Sequence, residues 1–236
     1  MAKVSRLDKY LANSGAGTRS EVKDFIRKGC VTVNGLICKK PEQKIDEEAD
    51  RVCLNDEIIS YTEFEYYMFY KPAGCVTATQ DNTHKTVMDY IVSSRKKELF
   101  PVGRLDIDTE GLLLITNNGE LAHRLLSPAH HVTKAYYARI DGRITEKEIQ
   151  AFAQGLDIGE ARKTMPAILE VISCGETSQV VVKIREGKFH QIKRMFHAVG
   201  MEVTYLKRIS MGNLKLDETL EKGQYRPLTE EEIALL

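Results

Sequence analysis

At 236 residues, 42% hydrophobic and 29% charged, the chain can bury one large core, or a large and a small one, and global disorder is excluded. The 34 basic and 34 acidic residues cancel, which argues against a wholesale polyanion binder. No stretch approaches the length of a membrane-spanning apolar run, and MAKVSRLDKY has no secretory or lipidation pattern, so the expectation is a soluble, cytoplasmic protein with no membrane partner.

Charge is distributed unevenly. Residues 1–44 hold ten Lys/Arg against four Asp/Glu, and residues 183–208 hold seven against two. Two basic segments in a neutral chain are the footprint of local electrostatic sites. The five cysteines are scattered, with no Cys-x-x-Cys pair, so reduced and mostly buried thiols are expected in place of disulfides or a zinc ribbon.

In chain order, Leu7, Tyr10 and Leu11 fall at helical spacing, and Gly15 and Gly17 stop that helix. Thr18 and Glu21 stand at capping-box spacing before a second helix whose apolar face is Val22, Phe25 and Ile26 and which Gly29 closes. Arg19, Lys23 and Arg27 recur every four residues along its outer face. CVTVNGLI follows as a hairpin turning at Asn34-Gly35. Helix, helix, hairpin defines a small module, and the acidic run at 46–57 with the segment Ser60 to Glu65 reads as a boundary, giving domains 1–60 and 61–236.

Beyond it, EYYMFYKPAG and GLLLITNNG read as strands ending in turns, ELAHRLLS and TEKEIQAFAQGL as amphipathic helices, and AILEVIS, QVVVKIREG and MEVTYLKRIS as strands. HQIKRMFHAVG is helical, with Ile192, Met195, Phe196 and Val199 on one face. The fold class is α+β, with a mixed, mostly antiparallel sheet flanked by helices.

The run PVGRLDIDTEGLLLI crowds Asp106, Asp108 and Glu110 into a polar loop. Three alternate carboxylates could hold a divalent cation, but the EF-hand glycine and twelfth-position Glu are missing, and the expectation is no metal. Ordinary loop bracing explains the carboxylates equally well, and composition does not choose between that and a nucleophile. His130 and His131 adjoin and point to different sides if extended. In KAYYARI, Lys134 and Tyr136 share one strand face and Tyr137 and Arg139 the other. In REGKFHQIKRMF, Lys188, Lys193 and Arg194 could hold phosphates or form a solvated helix face.

Together, RLDKYLA, the VTVNG hairpin, YKPAG, GRLDIDTEGLL, SPAHHVTKAY, EGKFHQIKRMF and the ending YRPLTEEEIA resemble, in order and over almost the whole chain, the bacterial ribosomal-RNA pseudouridine synthases of the RsuA type. GRLD followed by T-x-G-L-L and then EGK-x-HQ-x-KRM carries most of the specificity. The resemblance implies an S4 (αL-like) RNA-binding module followed by a catalytic domain, acting without cofactor as a monomer on ribosomal RNA. The HQIKRM and GRLDIDT forms look more like the small-subunit enzymes than their large-subunit relatives, which implies 16S RNA within an assembling small subunit, with uridine 516 as target.

By the same resemblance, Asp106 matches the catalytic carboxylate and Asp108 does not. Tyr136 matches the tyrosine that stacks on the target base, Lys193 the basic residue paired with the catalytic Asp, and Arg104 the arginine that fills the gap left by the extruded nucleotide. Arg19, Lys23, Arg27, Lys188 and Arg194 are then the RNA-binding candidates. Two alternatives stay open: the same chemistry on 23S RNA, and a non-catalytic S4-containing assembly factor. The joint presence of Asp106, Tyr136, Lys193 and Arg104 weighs against the second.

Overall fold

The computed structural model describes residues 4–59 and 63–236. Two compact units divide between Glu63 and Phe64. Residues 60 and 61, where the sequence reading puts the boundary, lie outside the described residues.

The first unit runs β1 (Val4–Arg6), α1 (Leu7–Asn13), α2 (Arg19–Arg27), β2 (Val31–Val33), β3 (Leu36–Ile37), β4 (Lys44–Asp46), β5 (Val52–Leu54) and β6 (Glu57–Ile59). Thr18 and Glu21 form the expected reciprocal cap: the Glu21 carboxylate accepts from the Thr18 N–H at 2.8 Å, and the Thr18 hydroxyl accepts from the Glu21 N–H. Asn34 and Gly35 both take positive φ, 52° and 79°, the twist of a two-residue hairpin turn. Leu7, Leu11, Val22, Ile26, Val31, Ile45 and Val52 close the core. One expectation needs correcting. The acidic run at 46–57 is not a linker, because Val52–Leu54 and Glu57–Ile59 form a hairpin in the sheet β3-β2-β5-β6. Glu47, Glu48, Asp50 and Asp56 lie between the strands, while Val52 is buried against β2.

The second unit runs β7 (Tyr66–Lys71), β8 (Phe100–Pro101), β9 (Glu110–Thr116), α3 (Gly119–Leu126), β10 (Lys134–Asp141), α4 (Glu146–Gln154), β11 (Ile168–Ser173), β12 (Thr177–Ile184), α5 (Gln191–Ala198), β13 (Glu202–Met211), β14 (Leu214–Lys215), β15 (Tyr225–Pro227) and α6 (Glu230–Ala234). The main sheet has the order β11-β12-β10-β13-β9-β7-β15 and is antiparallel except where β13 meets β9, so the mixed, mostly antiparallel sheet is borne out.

Each face of this sheet carries its own core. Phe69, Leu113 and Ile115 join Ala138, Val180, Phe152 and Phe196 on one face, while Met68, Leu112 and Leu114 join Leu121, Leu125 and Leu214 on the other. β9 is buried along its whole length, which is why its central run, residues 112–115, is continuously apolar and does not alternate. The parallel crossing is tight. A Cβ on Gly111, which has φ 103°, would lie 2.2 Å from the Arg208 carbonyl oxygen, so only glycine allows the two backbones this approach.

Candidate active site

The GRLDIDT segment is the loop entering β9, and it is held from below by the end of β7. Lys71 is fully buried, and its ammonium donates to the carbonyls of Pro72, Asp106, Ile107 and Thr109 at 2.9 to 3.4 Å. Burial pushes the Lys71 pKa down, and the charges of Cys75, Asp108 and Asp106 oppose that push. The Gly74 N–H donates to the Ile107 carbonyl at 2.7 Å. Thr77 exchanges two hydrogen bonds with the Leu105 backbone. These bonds leave the Asp106 side chain half-buried at the mouth of a cleft of about 90 Å³, lined by Arg104, Leu105, Tyr136, Ile184, Ile192, Lys193 and Leu206 among others.

Tyr136 forms the wall. It is buried on β10, directly opposite Val182 of β12 and Arg208 of β13, and its hydroxyl makes no hydrogen bond within the chain among the described residues. Tyr137 points to the other face, where it donates to Gln179 and packs edge-on against Tyr205. Strand alternation therefore separates the two tyrosines as expected.

Lys193, in the first turn of α5, reaches the loop from the opposite side. Its ammonium stands 2.5 Å from Asp108 and 3.4 Å from Asp106, so it bridges both carboxylates and holds Asp108 more tightly. Burial works against the Asp108 carboxylate, yet the Lys193 hydrogen bond and charge leave its pKa net lowered. Asp106 has a second basic neighbour, His190, whose Nε2 lies 3.5 Å away. His190 sits at the N-cap of α5 in the left-handed conformation, φ 47°, and Phe189 stacks on its ring at 3.8 Å. The three loop carboxylates do not converge. Glu110 accepts from Tyr205 at 2.6 Å and pairs with Lys222, and among the described residues no three His, Cys, Asp or Glu side chains gather as a metal cluster.

Arg104 is exposed at the rim and makes no hydrogen bond among the described residues. Lys188 and Arg194 are committed within the chain. Lys188 donates to the Arg162 and Lys163 carbonyls, and Arg194 pairs with Glu160 and donates to the carbonyls of Phe189 and Ile158. In the first unit, Arg19 and Lys23 line a groove with Arg6, Asp8 and Lys9, whereas Arg27 stands apart beside Asp24 at 3.7 Å.

Comparison with known proteins decides what this arrangement belongs to. Residues 65–198 match the family model for RNA pseudouridylate synthase, and residues 5–52 match that of the S4 domain. The chain belongs to the RNA pseudouridylate synthase family. It is 46% identical to an uncharacterized RNA pseudouridine synthase of Bacillus subtilis, YtzG, over 98% of both chains. It is 39% identical to the ribosomal small subunit pseudouridine synthase A of Haemophilus influenzae, over 98% of this chain and 99% of that one. A crystal structure of a pseudouridylate synthase superposes with a TM-score of 0.70 at 38% identity, over 98% and 99% of the two chains. Membership makes the chain an isomerase acting on RNA, and none of its helices among the described residues is long and apolar enough to cross a membrane.

The sequence reading missed His190, Lys71 and Thr77. Lys71 had a signal in the YKPAG turn, where a lysine ends an aromatic strand that must be buried. His190 had only its place beside the third motif, and its approach to Asp106 depends on a left-handed backbone that no local pattern announces.

Proposed function

We propose that this chain converts uridine 516 of 16S ribosomal RNA to pseudouridine, with Asp106 as the catalytic carboxylate. The observation that carries this reading is a partly buried Asp106 flanked by Lys193 and His190 at 3.4 and 3.5 Å, in a cleft walled by Tyr136. The small-subunit target rests on the relatives named ribosomal small subunit pseudouridine synthase A.

The reaction breaks the N1–C1′ bond, turns the uracil and joins C5 to the same C1′, with the C5 proton lost last. Asp106 acts on the sugar, either as the nucleophile that bonds to C1′ or as the base that yields a glycal. Lys193 at 3.4 Å and His190 at 3.5 Å flank the carboxylate and hold it at the mouth of the cleft. Tyr136, with Ile184, Ile192 and Leu206 around it, offers the free uracil a flat apolar wall while it rotates, and its hydroxyl assists proton removal. Arg104 is free to enter the stack and fill the vacancy left by the flipped nucleotide, offsetting a cost of a few kcal/mol.

Residues 1–60 serve as the S4 RNA-binding domain, with Arg19, Lys23 and Arg27 on phosphates, and residues 61–236 as the catalytic domain. Lys188 and Arg194 act on RNA indirectly, by bracing the loops around the cleft. The protein works as a monomer in the cytoplasm, on RNA of an assembling small subunit and without a cofactor. The test is primer-extension mapping of carbodiimide-treated ribosomal RNA from cells with and without this chain, read over both subunits. A stop lost at uridine 516 supports the proposal. A stop lost only in 23S RNA refutes the target, and no difference anywhere refutes the activity.

A further inference from the structure

A second cavity, of about 350 Å³, adjoins the uridine cleft and shares Arg104, Asp106, Tyr136 and His190 with it. Its distinguishing members are Lys134 and Arg208, on the paired strands β10 and β13. Arg208 is 1% exposed; its Nε donates to the Leu112 carbonyl at 2.7 Å, and its Nη2 is buried without any partner. Lys134 is 8% exposed and makes one bond, to the Val132 carbonyl at 3.2 Å. Among the described residues no carboxylate lies within ion-pairing distance of either.

Two buried like charges without a counter-ion are unfavourable. Burial, then the charge of Arg208, lowers the Lys134 pKa. The carboxylates at the cavity wall do not supply the missing anion. Glu186 accepts from the Met165 N–H and from Gln191, and Asp106 faces Lys193 and His190. Exposed Arg185 and Arg104 add positive charge at the opening. A site with an idle guanidinium N–H, an under-used ammonium and a cationic rim is complementary to a tetrahedral oxyanion.

We propose that Lys134 and Arg208 form a phosphate subsite that takes one phosphodiester of the RNA strand flanking the extruded uridine. This rests on the pseudouridine-synthase reading of the neighbouring cleft. A uridine seated against Tyr136 carries its own backbone past the same wall, because Tyr136 and Arg208 stand opposite each other across the β10–β13 ladder. The contact fixes the depth and orientation of the sugar relative to Asp106 and carries no base information, so it positions and does not specify.

The test uses the full chain and the Lys134→Met variant. Methionine keeps most of the packing volume and removes one of the two like charges, so the variant is expected to melt at or above the wild-type temperature. Inorganic phosphate, compared with chloride at matched ionic strength, should raise the melting temperature of wild type and not that of Lys134→Met. On substrate RNA, Lys134→Met should lower kcat/KM about 10- to 100-fold, as expected for loss of one charged hydrogen bond to phosphate. It should also flatten the salt dependence by roughly 0.7 of log-log slope, and Lys134→Arg should restore both. A neutral methylphosphonate at one of the two phosphates flanking the target uridine should cost wild type a similar factor, and adding it to Lys134→Met should cost less than it costs wild type, because only the Arg208 contact is left to lose. Losses that multiply, or a wild type indifferent to phosphate and to methylphosphonate at both positions, overturn the subsite. If wild type forms no pseudouridine in any ribosomal RNA, the activity reading fails separately, and the phosphate melt still decides the subsite. Should Lys134→Met fail to fold, the wild-type phosphate and methylphosphonate results decide it alone.

Discussion

Replacing Lys71 with methionine keeps the length of the side chain and deletes the ammonium on which the Asp106 loop rests. Four carbonyls, those of Pro72, Asp106, Ile107 and Thr109, lie within 3.4 Å of that nitrogen, which has three protons to give. A hydrogen bond from a charged donor contributes about 1.5–3 kcal/mol, and a buried carbonyl left unsatisfied costs about 1–3 kcal/mol. Against this stands the relief of a desolvated charge, visible in the lowered Lys71 pKa. The net expectation is a loss of about 2–4 kcal/mol, or roughly 5–15 °C of melting temperature in a unit of this size. Activity should fall further than stability. The Asp106 carbonyl is one of the acceptors, so a loosened loop misplaces the catalytic carboxylate, and a misplacement of about 1 Å costs on the order of 100-fold. Urea titration and single-turnover pseudouridine formation, both below the variant's melting temperature, give the two numbers. A Lys71→Met protein that melts within about 2 °C of wild type and turns over normally would refute the reasoning.

Three further outcomes are expected. Replacing Arg19 and Lys23 together should flatten the salt dependence of RNA binding by roughly 0.7 to 0.9 of log-log slope for each phosphate no longer neutralised, while leaving single-turnover rates at saturating enzyme unchanged. Arg27, which lies outside their groove, should contribute less when replaced, and filter binding across a salt series separates the cases. Gly111→Ala should cost about 3 kcal/mol or more, because its Cβ would meet the Arg208 carbonyl at 2.2 Å; a near-native melt would show that the β9–β13 crossing can open. Acid should release the C-terminal clamp, in which Arg226 pairs with Asp217 and Glu232. Thr219, through its hydroxyl and its N–H, and then Arg226 hold the Asp217 pKa down from 3.8 to about 2. The contribution of the Asp217 carboxylate is therefore complete above about pH 4 and disappears as pH falls through about 2. A carboxyl titration of Asp217 by NMR with a midpoint near 3.8 would show that the Thr219 and Arg226 contacts do not hold it.

Local rules made the first unit legible. The Thr18–Glu21 cap and the Asn34-Gly35 turn are set by neighbours three residues apart or fewer, and both form as read. The apolar face of α5 and the continuous apolar run of β9 were legible for the same reason: burial on one face or on two leaves a period in the sequence. The hairpin at 52–59 was hidden by its charged turns, which outweigh three-residue strands in a composition count.

In the site, ordering along the chain exposed the motifs but not their electrostatic pairing. Lys193 grips Asp108 more closely than Asp106, His190 supplies a second basic neighbour, and Lys188 and Arg194 are spent on loop carbonyls and Glu160. Such pairings join elements up to 85 residues apart, and no spacing rule reaches that far. The buried Arg208 was hidden for the opposite reason: a cation in a basic segment reads as surface, and only the packed sheet shows that it lies inside.

The central claim is that Asp106, and not its neighbour two residues on, performs the chemistry. Asp106→Asn and Asp108→Asn are close to isosteric, and each removes one carboxylate charge. Single-turnover assays on 16S RNA, read by carbodiimide mapping, should find no pseudouridine with Asp106→Asn, although the protein folds and binds RNA as wild type does. Asp108→Asn should retain substantial activity, because Lys193 keeps Asp106 as a partner at 3.4 Å. Normal turnover by Asp106→Asn, with Asp108→Asn inactive, would contradict the account.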